Sequence, residues 1–98
     1  MTADDVTTAA ELFKEVLENH DPAAKVELSH RDERDGGRVY DARVTHAGHF
    51  QDRFGISRYG LTPVEGTISR PPKEYEQARA KARAAVKRWY ALVKRGWK

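Results

Sequence analysis

Basic side chains are concentrated in the final segment, RAKARAAVKRWYALVKRGWK, which holds eight lysines and arginines and no acid. Closely spaced ammonium and guanidinium groups are the chemistry that binds nucleic-acid phosphates, because neutralising a phosphate releases condensed counterions. When the segment is drawn as a helix at about 100° per residue, six cations fall on the half opposite the apolar side chains. We predict that these six contact phosphate, namely Lys81, Arg83, Lys87, Arg88, Lys94 and Arg95.

A second group of basic and aromatic residues lies in the stretch RFGISRYG. Arg53 and Arg58 stand close to Tyr59, and an aromatic ring beside cations can stack on a base while the cations hold a phosphate. We therefore add Arg53 and Arg58 to the predicted nucleic-acid-binding residues. Tyr59 itself is expected to be partly buried and to anchor the loop.

Two histidines, His46 and His49, form the motif HAGH near a predicted turn, and Asp52 follows. Imidazole and carboxylate groups are zinc ligands, but the motif lacks a further ligand at a diagnostic spacing. The sequence contains no cysteine, which excludes disulfides, thiolate zinc sites and cysteine catalysis. We predict no metal site and no cofactor.

Acidic residues crowd the segment RDERDGG, where Asp32, Glu33 and Asp35 precede two glycines. An exposed turn leaves carboxyl groups in water, whereas general acid–base catalysis needs an environment that tunes proton affinity. No serine stands in a nucleophile-elbow motif, and GISRYG does not have the spacing of a phosphate-binding glycine loop. We predict that the chain is not an enzyme.

Two amphipathic helices are predicted to position the basic residues. Thr2 and Asp5 have capping-box spacing, and the apolar residues that follow recur at helical spacing, which predicts a helix over 3–20. Pro72 suits a first helical turn, and the apolar half of the basic segment predicts a second helix over 72–95. The apolar half of that helix is expected to pack on the protein, with the cationic half facing outward.

Between the helices, alternation of apolar and polar residues predicts three strands, over 25–31, 38–47 and 49–57. The short turn AGH predicts that the second and third strands form a hairpin. The stretch RYGLTPVEG has the composition of a loop, and TIS indicates a fourth, short strand at an edge over 66–69.

The third strand contains one residue that does not fit its pattern. Phe50, Phe54 and Ile56 are predicted to face inward, but Asp52 has the same parity and is expected to face inward with them. We predict that Gly55 marks a β-bulge that shifts the register.

These elements predict an α+β fold in the order α-β-β-β-(β)-α, with an antiparallel sheet and two helices packed on one of its faces. The 98 residues are predicted to form a single small domain, 1–98. The acidic N-terminal segment does not have the pattern of a signal peptide, and no apolar run approaches the roughly 18 residues of a membrane span. We therefore expect a cytoplasmic protein with no membrane partner.

The order α-β-β-β-α is also that of double-stranded RNA-binding domains, and AKARAA at residues 80–85 resembles the basic, alanine-rich second helix of that family. In that family the basic cluster stands at the start of the helix, directly after a glycine-rich turn. Here the corresponding segment, PPKEYEQ, carries Glu74 and Glu76 instead. The resemblance is therefore one of topology, and we do not assign the chain to the family.

Charge is divided unevenly along the chain. Residues 1–72 carry 9 basic and 13 acidic side chains, a net charge of −4, whereas residues 73–98 carry 9 basic and 2 acidic ones, a net charge of +7. Such asymmetry indicates a polyanion or an acidic protein as the partner of the last helix. We predict that the chain binds nucleic acid, DNA or RNA, with little sequence preference and a steep dependence on salt.

Three alternatives stay open beside this prediction. The first is a protein-interaction module, a small inhibitor or adaptor of the kind that phages and mobile elements encode, docking on an acidic surface of its partner. The second is a homodimer formed through Trp97 or through an exposed edge of the sheet. The third is that the cationic half of the helix meets only water.

Overall fold

The computed structural model of the protein describes residues 1–66 and 71–96. They form two helices and four strands, which are α1 (Ala3–His20), β1 (Ala24–Asp32), β2 (Arg38–His46), β3 (His49–Ser57), β4 (Gly60–Gly66) and α2 (Lys73–Lys94). The predicted α+β class and the order of elements are confirmed. Both helices begin and end within one residue of the predicted positions.

The four strands form one antiparallel sheet in the order β1-β2-β3-β4. Helix α1 packs on β1 and β2, whereas α2 packs on α1 and β4, so that both helices cover the same face. Trp89 Nε1, near the end of α2, donates a hydrogen bond of 3.0 Å to the carbonyl of Asp5 at the start of α1. This contact shows that the two helices run antiparallel. The opposite face of the sheet carries exposed charged residues such as Glu27 and Arg43.

The core lies between this sheet face and the two helices. Phe13 and Leu17 from α1, Phe54 and Ile56 from β3, and Tyr75 from α2 are almost completely buried. The rings of Phe13 and Phe54 meet edge to face, with their centroids 5.1 Å apart. Burial of one large apolar side chain contributes about 1.5–3 kcal/mol, so these contacts hold both helices firmly on the sheet.

Helix α1 begins at the capping box that the sequence predicts. Asp5 donates its backbone N–H to Thr2 Oγ1 at 3.2 Å, and Thr2 donates its own N–H to Asp5 Oδ2 at 2.9 Å. The helix ends before Asp21, whose N–H still donates to the carbonyl of Leu17. Pro22 follows, and a residue before proline disfavours helical dihedrals.

Strand β4 corrects the prediction of a loop over RYGLTPVEG. Arg58 and Tyr59 form the turn, and the rest of this stretch is β4, which pairs with β3 along its length. Its proline, Pro63, is compatible with a strand because β4 is an edge of the sheet and needs donors on one side only. Of the strand predicted over 66–69, Gly66 is the last residue of β4, and the remainder lies outside the described residues.

The sequence predicts a bulge at Gly55, but the bulge between β2 and β3 lies at Gln51. Val44 pairs with Asp52 while Thr45 pairs with Phe50, which leaves Gln51 as the extra residue. One extra residue reverses the alternation of side chains. The prediction that Phe50 faces inward is therefore wrong: its ring lies 5.1 Å from the guanidinium carbon of Arg43 on the outer sheet face.

Candidate nucleic-acid interface

Helix α2 is fixed in place by its apolar half. Tyr75, Ala78, Ala82, Val86 and Tyr90 recur at intervals of three or four residues, and all five are buried. Residues at this spacing share one face of a helix, so the side chains on the opposite half face outward. The core contacts therefore determine where the cationic side chains of α2 are presented.

The six predicted phosphate contacts, five in α2 and Arg95 at its C-cap, form two stripes and not one continuous face. The groove-side stripe consists of Arg83, Lys87 and Lys94, and the far stripe consists of Lys81, Arg88 and Arg95. At about 100° per residue, the stripes are roughly 120° apart around the helix axis. All six side chains are exposed, and none forms an ion pair with another residue in the described part of the chain.

A groove of about 360 Å³ lies between α2 and the β3–β4 turn. The groove-side stripe lines one wall, and Tyr59 and Leu61 line the other. The buried residues Val86 and Tyr90 form its base. The groove therefore combines an apolar interior with cations at its rim.

Tyr59 is the most exposed aromatic residue of this region, with 82% of its surface accessible. The prediction that it anchors the loop by partial burial is wrong. Its ring is positioned instead by a neighbour, because the guanidinium carbon of Arg58 lies 5.2 Å from the ring centroid. Arg58 Nη2 is held in turn by Asp35 Oδ2 at 2.6 Å.

The turn that carries Tyr59 is attached to α2. The buried hydroxyl of Tyr90 donates a hydrogen bond to the carbonyl of Ser57, the last residue of β3. Burial raises the pKa of Tyr90 to about 12, so this hydroxyl keeps its proton at neutral pH. Within the turn, the N–H of Tyr59 donates to Ser57 Oγ at 3.2 Å, and Gly60 adopts a φ of 126°, which favours glycine.

The structure brings only part of the predicted site together. Arg58 lies beside the groove through its contact with Tyr59, whereas Arg53 lies on the sheet face opposite the helices. There Arg53 Nε contacts Asp41 Oδ1 at 2.8 Å. The groove-side stripe, Arg58 and Tyr59 thus form one surface, which does not include Arg53.

A second polar cluster lies under the start of α2, and it explains why Asp52 faces inward. The Tyr75 hydroxyl donates to Asp52, and Arg79 Nη1 lies 2.8 Å from the same carboxylate oxygen. Burial, together with the negative charge of Asp52, raises the pKa of Tyr75. This cluster supports α2 from below and does not reach the groove.

The histidines of HAGH do not form a metal-binding constellation. His46 Nδ1 lies 2.6 Å from Asp21 Oδ2, which is buried, while Asp52 is bound by Tyr75 and Arg79. Across residues 1–66 and 71–96, no group of three or more His, Cys, Asp or Glu side chains is arranged to hold a metal ion. The contact between His46 and Asp21 was not predicted, because these residues lie 25 positions apart in the sequence.

Comparison with known proteins does not place the chain in a family. No protein-family model matches it, and neither a curated protein nor a solved structure does. Relative to the double-stranded RNA-binding order, β4 is an additional strand. In the part of the chain that the structure describes, neither helix carries an apolar stretch sufficient to cross a membrane.

Proposed function

We propose that this chain is a small, non-catalytic nucleic-acid-binding domain that acts in the cytoplasm and contacts phosphates through α2. The observation that carries the proposal is the set of six exposed cations on α2 and its C-cap, none of them in an ion pair with a described residue. A cation already paired with a carboxylate must give up that partner before it can bind phosphate. These six cations have no such partner among the described residues to give up. Their contacts are with the backbone of the ligand, which accounts for little sequence preference.

The architecture favours a fixed surface over a disordered basic arm. Tyr75, Val86 and Tyr90 anchor α2 to the rest of the core. A helix held in this way presents its lysines and arginines without first having to order the backbone, which lowers the entropy lost on binding. Binding is expected to weaken steeply as salt rises, because each neutralised phosphate adds roughly 0.7–0.9 to the slope of log K against log salt.

The test is a titration of fluorescent duplex DNA, duplex RNA and single strands by fluorescence anisotropy over a salt series. A double charge reversal, Lys87→Glu with Arg88→Glu, changes one cation in each stripe and is expected to abolish measurable binding at moderate salt. The matched control is Lys25→Glu with Arg34→Glu, which makes the same change in net charge away from α2. Equal loss of affinity in both variants, or binding that does not change with salt, contradicts the proposal.

One observation favours the second candidate, a protein-interaction module. Strand β4 is an edge of the sheet, and an open edge can pair with a strand of another protein or of a second copy. The other edge is less accessible, because Lys14 and Glu18 of α1 bind the backbone of Val26 in β1. Trp97, the other predicted dimer contact, lies outside the described residues.

A pull-down from lysate, with and without nuclease treatment, distinguishes the two candidate functions. A partner that is lost after nuclease treatment supports nucleic-acid binding, and an acidic protein that stays bound supports the interaction module. Sedimentation at two protein concentrations tests the homodimer.

A further inference from the structure

Tyr59 is an exposed tyrosine that lines the same groove as the cations of the groove-side stripe. Tyr59 has 82% of its surface accessible, although an aromatic ring is usually buried for its apolar area. Arg58, which is paired with Asp35, contacts the ring from outside the groove, while the ring itself lines the groove. A ring that is exposed and also held in place is suited to stacking on a flat partner.

The groove beside this ring provides separate places for an apolar group and for an anion. Val86, Leu61 and Tyr90 give it an apolar lining, and the cations of the groove-side stripe stand at its rim. A nucleotide has the complementary construction, with a flat base attached through a sugar to a phosphate. The volume of about 360 Å³ is in the size range of small-ligand sites.

We infer that this groove receives an unpaired base, stacked on Tyr59, and that the preferred ligand of the chain is therefore single-stranded nucleic acid. The inference rests on the proposed function and deepens it by naming the class of ligand.

The structure favours single strands over duplexes for a steric reason. In a duplex each base is stacked between its neighbours, so a protein ring has no base face to contact unless the base is extruded, which costs a few kcal/mol. A duplex would use the cations of α2 and leave Tyr59 and the apolar base of the groove without a partner. A single strand satisfies both, because its bases turn outward freely while its phosphates follow the groove-side stripe.

An acidic peptide matches the cations but not the rest of the surface. Carboxylates would meet Arg83, Lys87 and Lys94, but aspartate and glutamate side chains have no aromatic ring to stack on Tyr59. We therefore take single-stranded nucleic acid as the occupant and use an acidic peptide as a comparison in the test.

The test compares four ligands at one fixed salt concentration: a single strand, the duplex of the same sequence, a strand of equal length with abasic sites, and a poly-glutamate peptide. The variants are Tyr59→Ala, Tyr59→Phe, which keeps the ring, and Lys87→Glu as a phosphate-contact variant. Circular dichroism melts establish that each variant is folded, which is expected because Tyr59 and Lys87 are exposed.

We expect Tyr59→Ala to weaken single-strand binding roughly 5- to 150-fold, the range for loss of one base–aromatic stack, and Tyr59→Phe to retain the affinity. The abasic strand is expected to bind the native protein as weakly as the normal strand binds Tyr59→Ala. Duplex binding is expected to be weaker than single-strand binding and indifferent to Tyr59.

Equal or tighter binding of the duplex, no effect of Tyr59→Ala, or peptide binding that depends on Tyr59 would each overturn the inference. The proposed function stands in the first two cases if Lys87→Glu still weakens nucleic-acid binding. If no nucleic acid binds at low salt, the proposed function and the inference fail together.

Discussion

Asp52 shows how a charged residue on the inward face of a strand can be accommodated beside the core. Its carboxylate is 15% exposed and receives a hydrogen bond from the fully buried Tyr75 and an ion pair from Arg79. A buried charge is tolerated when it is paired and hydrogen-bonded in this way. The alternation of residues in β3 predicts that Asp52 faces inward. It cannot identify the two partners, Tyr75 and Arg79, because they lie 23 and 27 positions away in the sequence.

Removal of this carboxylate is expected to destabilise the protein. Asp52→Ala leaves the Tyr75 hydroxyl buried without its acceptor, at a cost of about 1–3 kcal/mol in the free energy of unfolding. Asp41→Ala is the control, because it also removes a carboxylate paired with an arginine, but that pair is exposed and is worth at most about 1 kcal/mol. Urea unfolding of both variants measures the difference, and equal effects would contradict the structural role given to Asp52.

At the scale of elements, the turn between β2 and β3 carries a local strain. The hairpin predicted from AGH is present, and its two turn residues, Ala47 and Gly48, have φ values of 51° and 82°. Left-handed backbone suits glycine or asparagine, whereas an alanine there costs about 1 kcal/mol.

Ala47→Asn is therefore expected to raise the free energy of unfolding by about 0.5–1 kcal/mol, and Gly48→Ala to lower it by about 1 kcal/mol. A Cβ at Gly48 meets no atom within 4 Å, so the loss would come from the backbone alone. Thermal melts of the two variants check the opposite signs. A stable Gly48→Ala variant would show that the turn is not held in this conformation.

Helix α1 covers the edge of β1 with two charged side chains. Val26 donates its N–H to Glu18 Oε2 and accepts from Lys14 Nζ, both at 2.8 Å. Burial acts to raise the pKa of Glu18, but the Val26 N–H and the Lys14 ammonium outweigh it and hold the pKa below its usual 4.5. The ionised carboxylate is thus favoured by folding.

Because the folded-state pKa of Glu18 is lowered, its contribution to stability is present above pH 4.5 and is lost as pH falls through the folded-state value. Glu18→Gln keeps a hydrogen-bond acceptor but removes the charge. The variant is expected to be less stable than the native chain at pH 7, by about 1 kcal/mol, and the gap is expected to narrow at a pH well below 4.5. Chemical unfolding at both pH values measures the gap, and a constant gap would refute the linkage.

At the scale of the whole molecule, the two stripes on α2 differ in what lies beside them. The groove-side stripe adjoins Tyr59 and the groove, whereas the far stripe does not line it. Both contribute to the positive C-terminal segment, but only the groove-side stripe combines cations with a place for a base. The two stripes are therefore expected to contribute unequally to binding.

Two triple alanine variants separate these contributions. Loss of Arg83, Lys87 and Lys94 is expected to reduce the slope of log K against log salt for a single strand by about 2, at roughly 0.7 per phosphate contact. Loss of Lys81, Arg88 and Arg95 removes the same charge and is expected to change the slope less. Slopes from anisotropy titrations decide this, and equal reductions would indicate a diffuse electrostatic surface without a central groove.

The parts of this protein that sequence patterns could predict are those set by neighbouring residues. The cap at Thr2, the AGH hairpin and the amphipathic character of α2 depend on contacts within a few positions, so spacing and propensity are sufficient to locate them. The α+β class follows from the order of those elements. Of the candidate site, the same patterns supply the cations of α2 and the presence of Tyr59 near Arg58.

Only the tertiary structure decided the rest. Strand β4 contains glycine and proline and has weak strand propensity, but pairing with β3 gives it a partner for its backbone. The bulge at Gln51 turns Phe50 to the outer sheet face, a result of register between strands and not of composition. The hydrogen bond from Tyr90 to the carbonyl of Ser57 holds the β3–β4 turn against α2, and the groove lies between them. Tyr59 is therefore placed beside cations about thirty positions away in the sequence. Local sequence patterns carry no information over that separation.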